Sequence, residues 1–175
     1  MRRVIFLAAL LLFIPSVLLA EARSYVTDSI KIIDIEDVHR ESQAWGICAA
    51  AYDLLAEIIQ ESMPARARQL ADLANGAELA VTMSMVVDGF DSDITPERFS
   101  RLWSFSKLSG AEIPKAMMNT LLADLEEDSS EGNEEFLSDL GKTVEVCILN
   151  TEGQQTYIDI YRDFAKSGLL AAPDQ

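Results

Sequence analysis

Cys48 and Cys147 are the only cysteines in this chain of 175 residues, and what they do decides how the rest can be arranged. Their chemistry depends on the compartment, and the first 22 residues indicate one. Arg2 and Arg3 form a basic start, Val4 to Leu19 is apolar apart from Pro15 and Ser16, and Ala20-Glu21-Ala22 puts small residues at the two positions a signal peptidase reads. Residues 1–22 therefore read as a signal peptide cleaved before Arg23. The alternative is an uncleaved anchor, but an apolar run of about 16 residues broken by a proline is short of the roughly 20 that span a bilayer. An exported chain with an even count of two is expected to carry one disulfide, Cys48–Cys147, with two unpaired buried thiols as the alternative. Closing a loop of about 100 residues stabilises by up to ~4.7 kcal/mol in the chain-entropy account.

The bridge also constrains packing. Bridged Cα atoms lie roughly 4.4–6.8 Å apart, whereas packed helix axes sit roughly 8–10 Å apart. A helix through Cys48 must therefore run close to the one holding Cys147. Gly46, Ala49, Ala50 and Ala51 are small enough to permit that approach.

The pattern after residue 36 is helical almost throughout, and the expected fold is a single-domain all-α bundle of five to six helices with one inter-helix disulfide. Residues 23–36 form an N-terminal arm, 37–168 the helical domain and 169–175 a tail. A first helix starts near Asp34 or Asp37, both acceptable caps, and runs to about Glu61. Val38, Trp45, Cys48, Tyr52, Leu55 and Ile59 mark its inner face, with Glu41, Asp53, Glu57 and Gln60 largely away from it. A second runs from Pro64 to about Val87, its apolar register carrying through Asn75-Gly76. Thr95-Pro96-Glu97 opens a third, with Phe99, Leu102, Trp103 and Ser106 on one face. Ser109-Gly110-Ala111-Glu112 resembles a capping box, so Pro114 is expected in the first turn of a new helix. Another begins near Glu134, with Phe136, Leu140, Val144, Cys147 and Ile148 facing inward. Asn150-Thr151-Glu152-Gly153 reads as a turn, and a last helix with Tyr157, Ile160, Tyr161 and Phe164 stops at Gly168.

Charge narrows the function. There are 29 acidic against 14 basic residues, a net −15; removing the leader leaves 153 residues at −16. Such a balance opposes nucleic-acid binding, which needs clustered Lys and Arg, and docking to anionic membranes. No later segment has 18 consecutive apolar residues, so the mature chain is expected to be soluble, with no membrane contact. The densest run holds Glu126, Glu127, Asp128 and Glu131, followed by Glu134 and Glu135. Its bland reading is a solvated loop, its functional one a contact patch for a basic partner.

Sites for chemistry are sparse. His39 is the only histidine; Glu36-Asp37-Val38-His39 matches the Glu-x-x-His element of di-metal bundles, but the second copy such sites need is absent. A polar residue in the first helical turn is the simpler reading. Asp88, Asp91 and Asp93 are weak cation-ligand candidates; their spacing does not fit the EF-hand pattern, and turn and cap formation explains them equally. No Gly-x-Ser-x-Gly elbow and no Cys-x-x-Cys-His haem motif occur. No catalytic residue and no cofactor are therefore assigned. Trp45, Tyr52 and Trp103 are core residues by spacing, or the walls of a ligand cleft if they reach one, and Met83, Met85, Met117 and Met118 could line an apolar groove.

The expectation is an exported, periplasmic or secreted protein that binds without catalysis, for instance a basic protein that it neutralises or assists. A small-ligand-binding bundle with an aromatic and Met-lined pocket is the second reading. A hydrolase using an unrecognised carboxylate pair is the third. Oligomeric state is not legible in the sequence.

Overall fold

The computed structural model describes Val26 and residues 31–91, 93–128 and 134–170; side chains 126–128 and 135 are not described. The expected signal peptide, most of the expected arm and the tail beyond Leu170 lie outside these residues. The described part is all-helical: a 3-10 turn Ile32–Asp34, then α1 Val38–Ile59, α2 Pro64–Asp88, α3 Pro96–Asp128, α4 Glu134–Leu149 and α5 Thr151–Lys166.

Local chemistry sets the boundaries. Asp37 caps α1, its Oδ1 accepting from the Arg40 amide at 3.0 Å. Pro64 opens α2, where its missing N–H costs nothing. Thr95 Oγ1 accepts from the Arg98 amide at 3.3 Å at the start of α3. Gly168 follows α5 with φ +81°, the left-handed residue that ends a helix.

α1 is the axis of the bundle. Every residue from Glu41 to Tyr52 is buried, so this helix is enclosed on all sides and not on one face. Glu41 is therefore not on an outer face as its spacing suggested; it is 6% exposed. α2 lies alongside α1 through Ala67, Leu70, Ala74, Ala77 and Val81. By length and mean hydropathy α2 is apolar enough to cross a membrane, but 56% of that apolar window is buried inside the bundle, as for a core helix.

α3 runs antiparallel to α2, with Gly110 against Thr82 and Leu102 against Gly89. It is a single helix to Asp128, with Pro114 inside it, where the sequence suggested a break. The reason is tertiary. A side chain at Gly110 would collide with Thr82, and Pro114 is buried against the bundle, so both residues answer to neighbouring helices instead of ending their own. Joining the two expected segments gives five α-helices.

The disulfide Cys48–Cys147 joins α1 to α4 with Cα atoms 5.5 Å apart. Phe136, Leu140 and Val144 of α4 are buried as expected, but Ile148 is exposed. The expected turn at 150–153 shrinks to Asn150, because α5 starts at Thr151 and Gly153 is helical, packed against Ile33 and Trp45. Asn150 fastens that corner: its Oδ1 accepts from the Ile32 amide at 2.8 Å and its Nδ2 donates to the Val146 carbonyl at 2.9 Å. Phe90, Phe99 and Phe164 meet at 5.3–6.2 Å between centroids and close the end where α2, α3 and α5 converge.

Candidate functional site: an apolar groove beside α3

The core is filled by the residues that looked most like a ligand cleft. Trp45 and Tyr52 are fully buried, and Met83 and Met117 are buried with them. Trp45 meets Tyr157 edge to face at 6.3 Å, and its Nε1 donates to Glu41 Oε1 at 3.2 Å. Tyr157 donates to the same oxygen at 2.6 Å. Glu41 is thus a buried carboxyl held by two neutral donors. Burial pushes its pKa up, the two hydrogen bonds oppose that, and the negative charge of Asp88 adds to it. Burial likewise raises the phenols of Tyr52 and Tyr157, the latter also through Glu41. Tyr52 Oη, Ser106 Oγ and Gln154 Oε1 are buried without a hydrogen-bond partner among the described residues.

Trp103 is half-buried, stacked on Tyr161 at 6.1 Å with the Lys107 ammonium 5.9 Å from its ring centre. It is the one aromatic of the three candidates that lines open cavities, two of which it shares with Lys107.

A strongly apolar opening lies elsewhere. A groove of about 650 Å³ lies between the first turn of α1, the end of α2 and the stretch of α3 from Leu102 to Ala116. Val38, Met85, Leu102, Phe105 and Ile113 form its walls, and its polar residues include Ser109, His39, Asp88 and Glu112. No Lys or Arg is among the described residues that line it. Beside it, Phe105 is 64% and Leu108 70% exposed. Sequence reasoning missed these two residues. The available signal was that both are large and apolar yet off the inward stripe of α3.

His39 stands at this groove. Its Nε2 lies 3.2 Å from Gln43 Nε2, Ser42 Oγ donates to its backbone carbonyl at 2.9 Å, and Glu112 is paired with Lys115 at 3.0 Å. No described hydrogen bond joins a groove serine to the His39 ring, the link a nucleophile and base require. Two carboxylates, Asp53 on α1 and Glu78 on α2, border a cavity of about 270 Å³ with Lys115. Partial burial raises both pKa values first, and adjacent negative charge second.

Of the aspartates expected as cation ligands, Asp88 lines the groove and Asp91 and Asp93 do not. Asp91 Oδ1 accepts from the Asp93 amide at 3.3 Å, an Asx turn leading into α3. Among the described residues no three His, Cys, Asp or Glu side chains converge on a metal-sized space. Glu126, Glu127 and Asp128 fall in the last turn of α3, where no basic residue offsets the helix dipole, and Glu131 lies outside the described residues. The described ion pairs are exposed, and four join Lys or Arg to an acid three residues away, so those cations are neutralised within their own helices.

Among the described residues, fold and site together define a disulfide-bridged all-α bundle with an apolar groove beside α3. Comparison of the chain with protein-family models, curated proteins and solved structures gives no match.

Proposed function

We propose that this is an exported protein, periplasmic or secreted, that acts by non-catalytic binding of a basic protein partner. The observation that carries the reading is the pair Phe105 and Leu108, large apolar side chains left in water one turn apart on α3 at the groove's flank; Leu149 of α4 is as exposed but does not line the groove. Exposed apolar surface of this kind marks interaction sites. The net charge of −15 supports a basic partner, because opposite charge speeds encounter and rejects acidic competitors. The disulfide fits an oxidising compartment, and the leader supplies the route there.

The test is affinity capture of the mature protein from its own extracytoplasmic fraction, followed by mass spectrometry, beside a Phe105→Ser/Leu108→Ser variant. A basic protein should co-purify with the wild type, less so in high salt, and be lost with the variant. Recovery of a stoichiometric small molecule and no protein would instead favour the second reading, a ligand-binding bundle. The volume of the groove and the presence of Met85 and Phe105 in its walls support that second reading.

A further inference from the structure

The groove has the dimensions and charge of a helix receptor. Its α3 wall extends from Leu102 to Ala116, fourteen steps that at 1.5 Å each make about 21 Å, or four helical turns. The lining positions of α3, Leu102, Phe105, Ser109, Ile113 and Ala116 among them, recur at three and four residues. That is the spacing by which one helix presents a ridge to another. α1 and α2 enclose only the opposite wall, through Val38 and Met85. Asp88 stands near the Leu102 end, next to Gly89, which packs on Leu102; Glu112 stands near the Ile113 end. The ten residues from Leu102 to Glu112 put these carboxylates roughly 15 Å apart along the axis. Glu112 already holds Lys115, so Asp88 is the stronger attraction for an incoming cation.

We propose that the groove between α1, α2 and α3 receives an amphipathic helix of about four turns from the partner, its apolar stripe laid along Leu102–Ala116 and a Lys or Arg at the Asp88 end. This rests on the proposed function and specifies how the partner is held. The apolar stripe of such a helix covers Phe105 as well as the groove floor. An acidic helix of the same shape is rejected by Asp88, Glu112 and the general negative field.

The test is fluorescence polarisation of the mature, disulfide-bonded protein with a labelled synthetic peptide of about 14 residues, Leu and Lys placed at helical spacing. Companion peptides carry Glu for Lys, or the same Leu and Lys in strict alternation. The helical Leu/Lys peptide should bind best. Ala116→Arg, which puts bulk and positive charge at the far end of the groove, should weaken it about tenfold or more, and Asp88→Asn by a smaller factor. Leu149→Asp, at an exposed position of α4, should leave it unchanged. Equal binding of the alternating or the Glu peptide would overturn the proposal. So would insensitivity to Ala116→Arg, equal loss in Leu149→Asp, or sedimentation showing that a second copy of the chain occupies the groove. If capture still recovers a basic protein with Ala116→Arg but not with Phe105→Ser/Leu108→Ser, the proposed function stands and the helix receptor falls.

Discussion

α1 and α3 carry their apolar residues in opposite ways. α1 is enclosed from Glu41 to Tyr52 and even buries a carboxylate, whereas α3 is longer and leaves Phe105 and Leu108 in water. The difference teaches where stability and recognition reside. Burial on all sides ties α1 to the core, where a truncation leaves a cavity; the exposed flank of α3 can lose side chains at little cost to folding, as the proposed binding surface requires.

The sharpest attempt to break this contrast is Trp45→Ala. It empties a fully buried site on α1 and removes one donor from Glu41, and should cost about 3–5 kcal/mol in urea unfolding. A cost near zero would mean that α1 is not the axis of the fold. Next is Cys48→Ala, which releases a bridge between positions 99 apart. A loss of about 2–5 kcal/mol is expected, with the variant still folded and melting lower by calorimetry.

Glu41→Gln sharpens the comparison through pH. The folded pKa of Glu41 lies above its ordinary 4.5, because burial disfavours the charged form. The folded chain then keeps a proton that the unfolded chain releases, so this group's contribution to stability is complete below pH 4.5 and declines as pH rises towards the folded value. Glutamine keeps an oxygen for Trp45 and Tyr157 without the charge. The variant should therefore outlast the wild type in thermal melts at neutral pH and lose that advantage well below pH 4.5. The smallest effect belongs to α3. Phe105→Ser/Leu108→Ser should change stability by no more than about 0.5 kcal/mol. A larger loss would show that these residues belong to the fold and not to a binding surface.

Much of the fold was legible because caps and periodicity are local. Asp37, Pro64, Thr95-Pro96 and Gly168 all mark ends that the structure keeps. The readings that failed concern glycine and proline inside α3 and α5. Gly110 and Gly153 looked like breaks but are points of close approach to Thr82 and to Ile33 and Trp45, partners distant in sequence that no window of the chain reveals. Glu41 failed for a related reason, since one-sided patterning cannot describe a helix enclosed on all sides. The groove was illegible because a gap between three helices depends on what fails to cover Leu102, Phe105 and Ile113. The hints were the off-stripe position of Phe105 and Leu108 and the expectation of a Met-lined groove, of which Met85 is found in the wall while Met83 and Met117 are buried in the core.

The Cys48–Cys147 bond has a mechanical consequence. A force applied at the two ends of the chain travels through the bridge and bypasses everything between the cysteines. The 99 residues of separation correspond to roughly 350 Å of extended chain that cannot lengthen under load. α2 and α3 sit wholly inside that shielded loop, so a machine unthreading the protein from either terminus would reach the bridge and then have to pass a doubled strand.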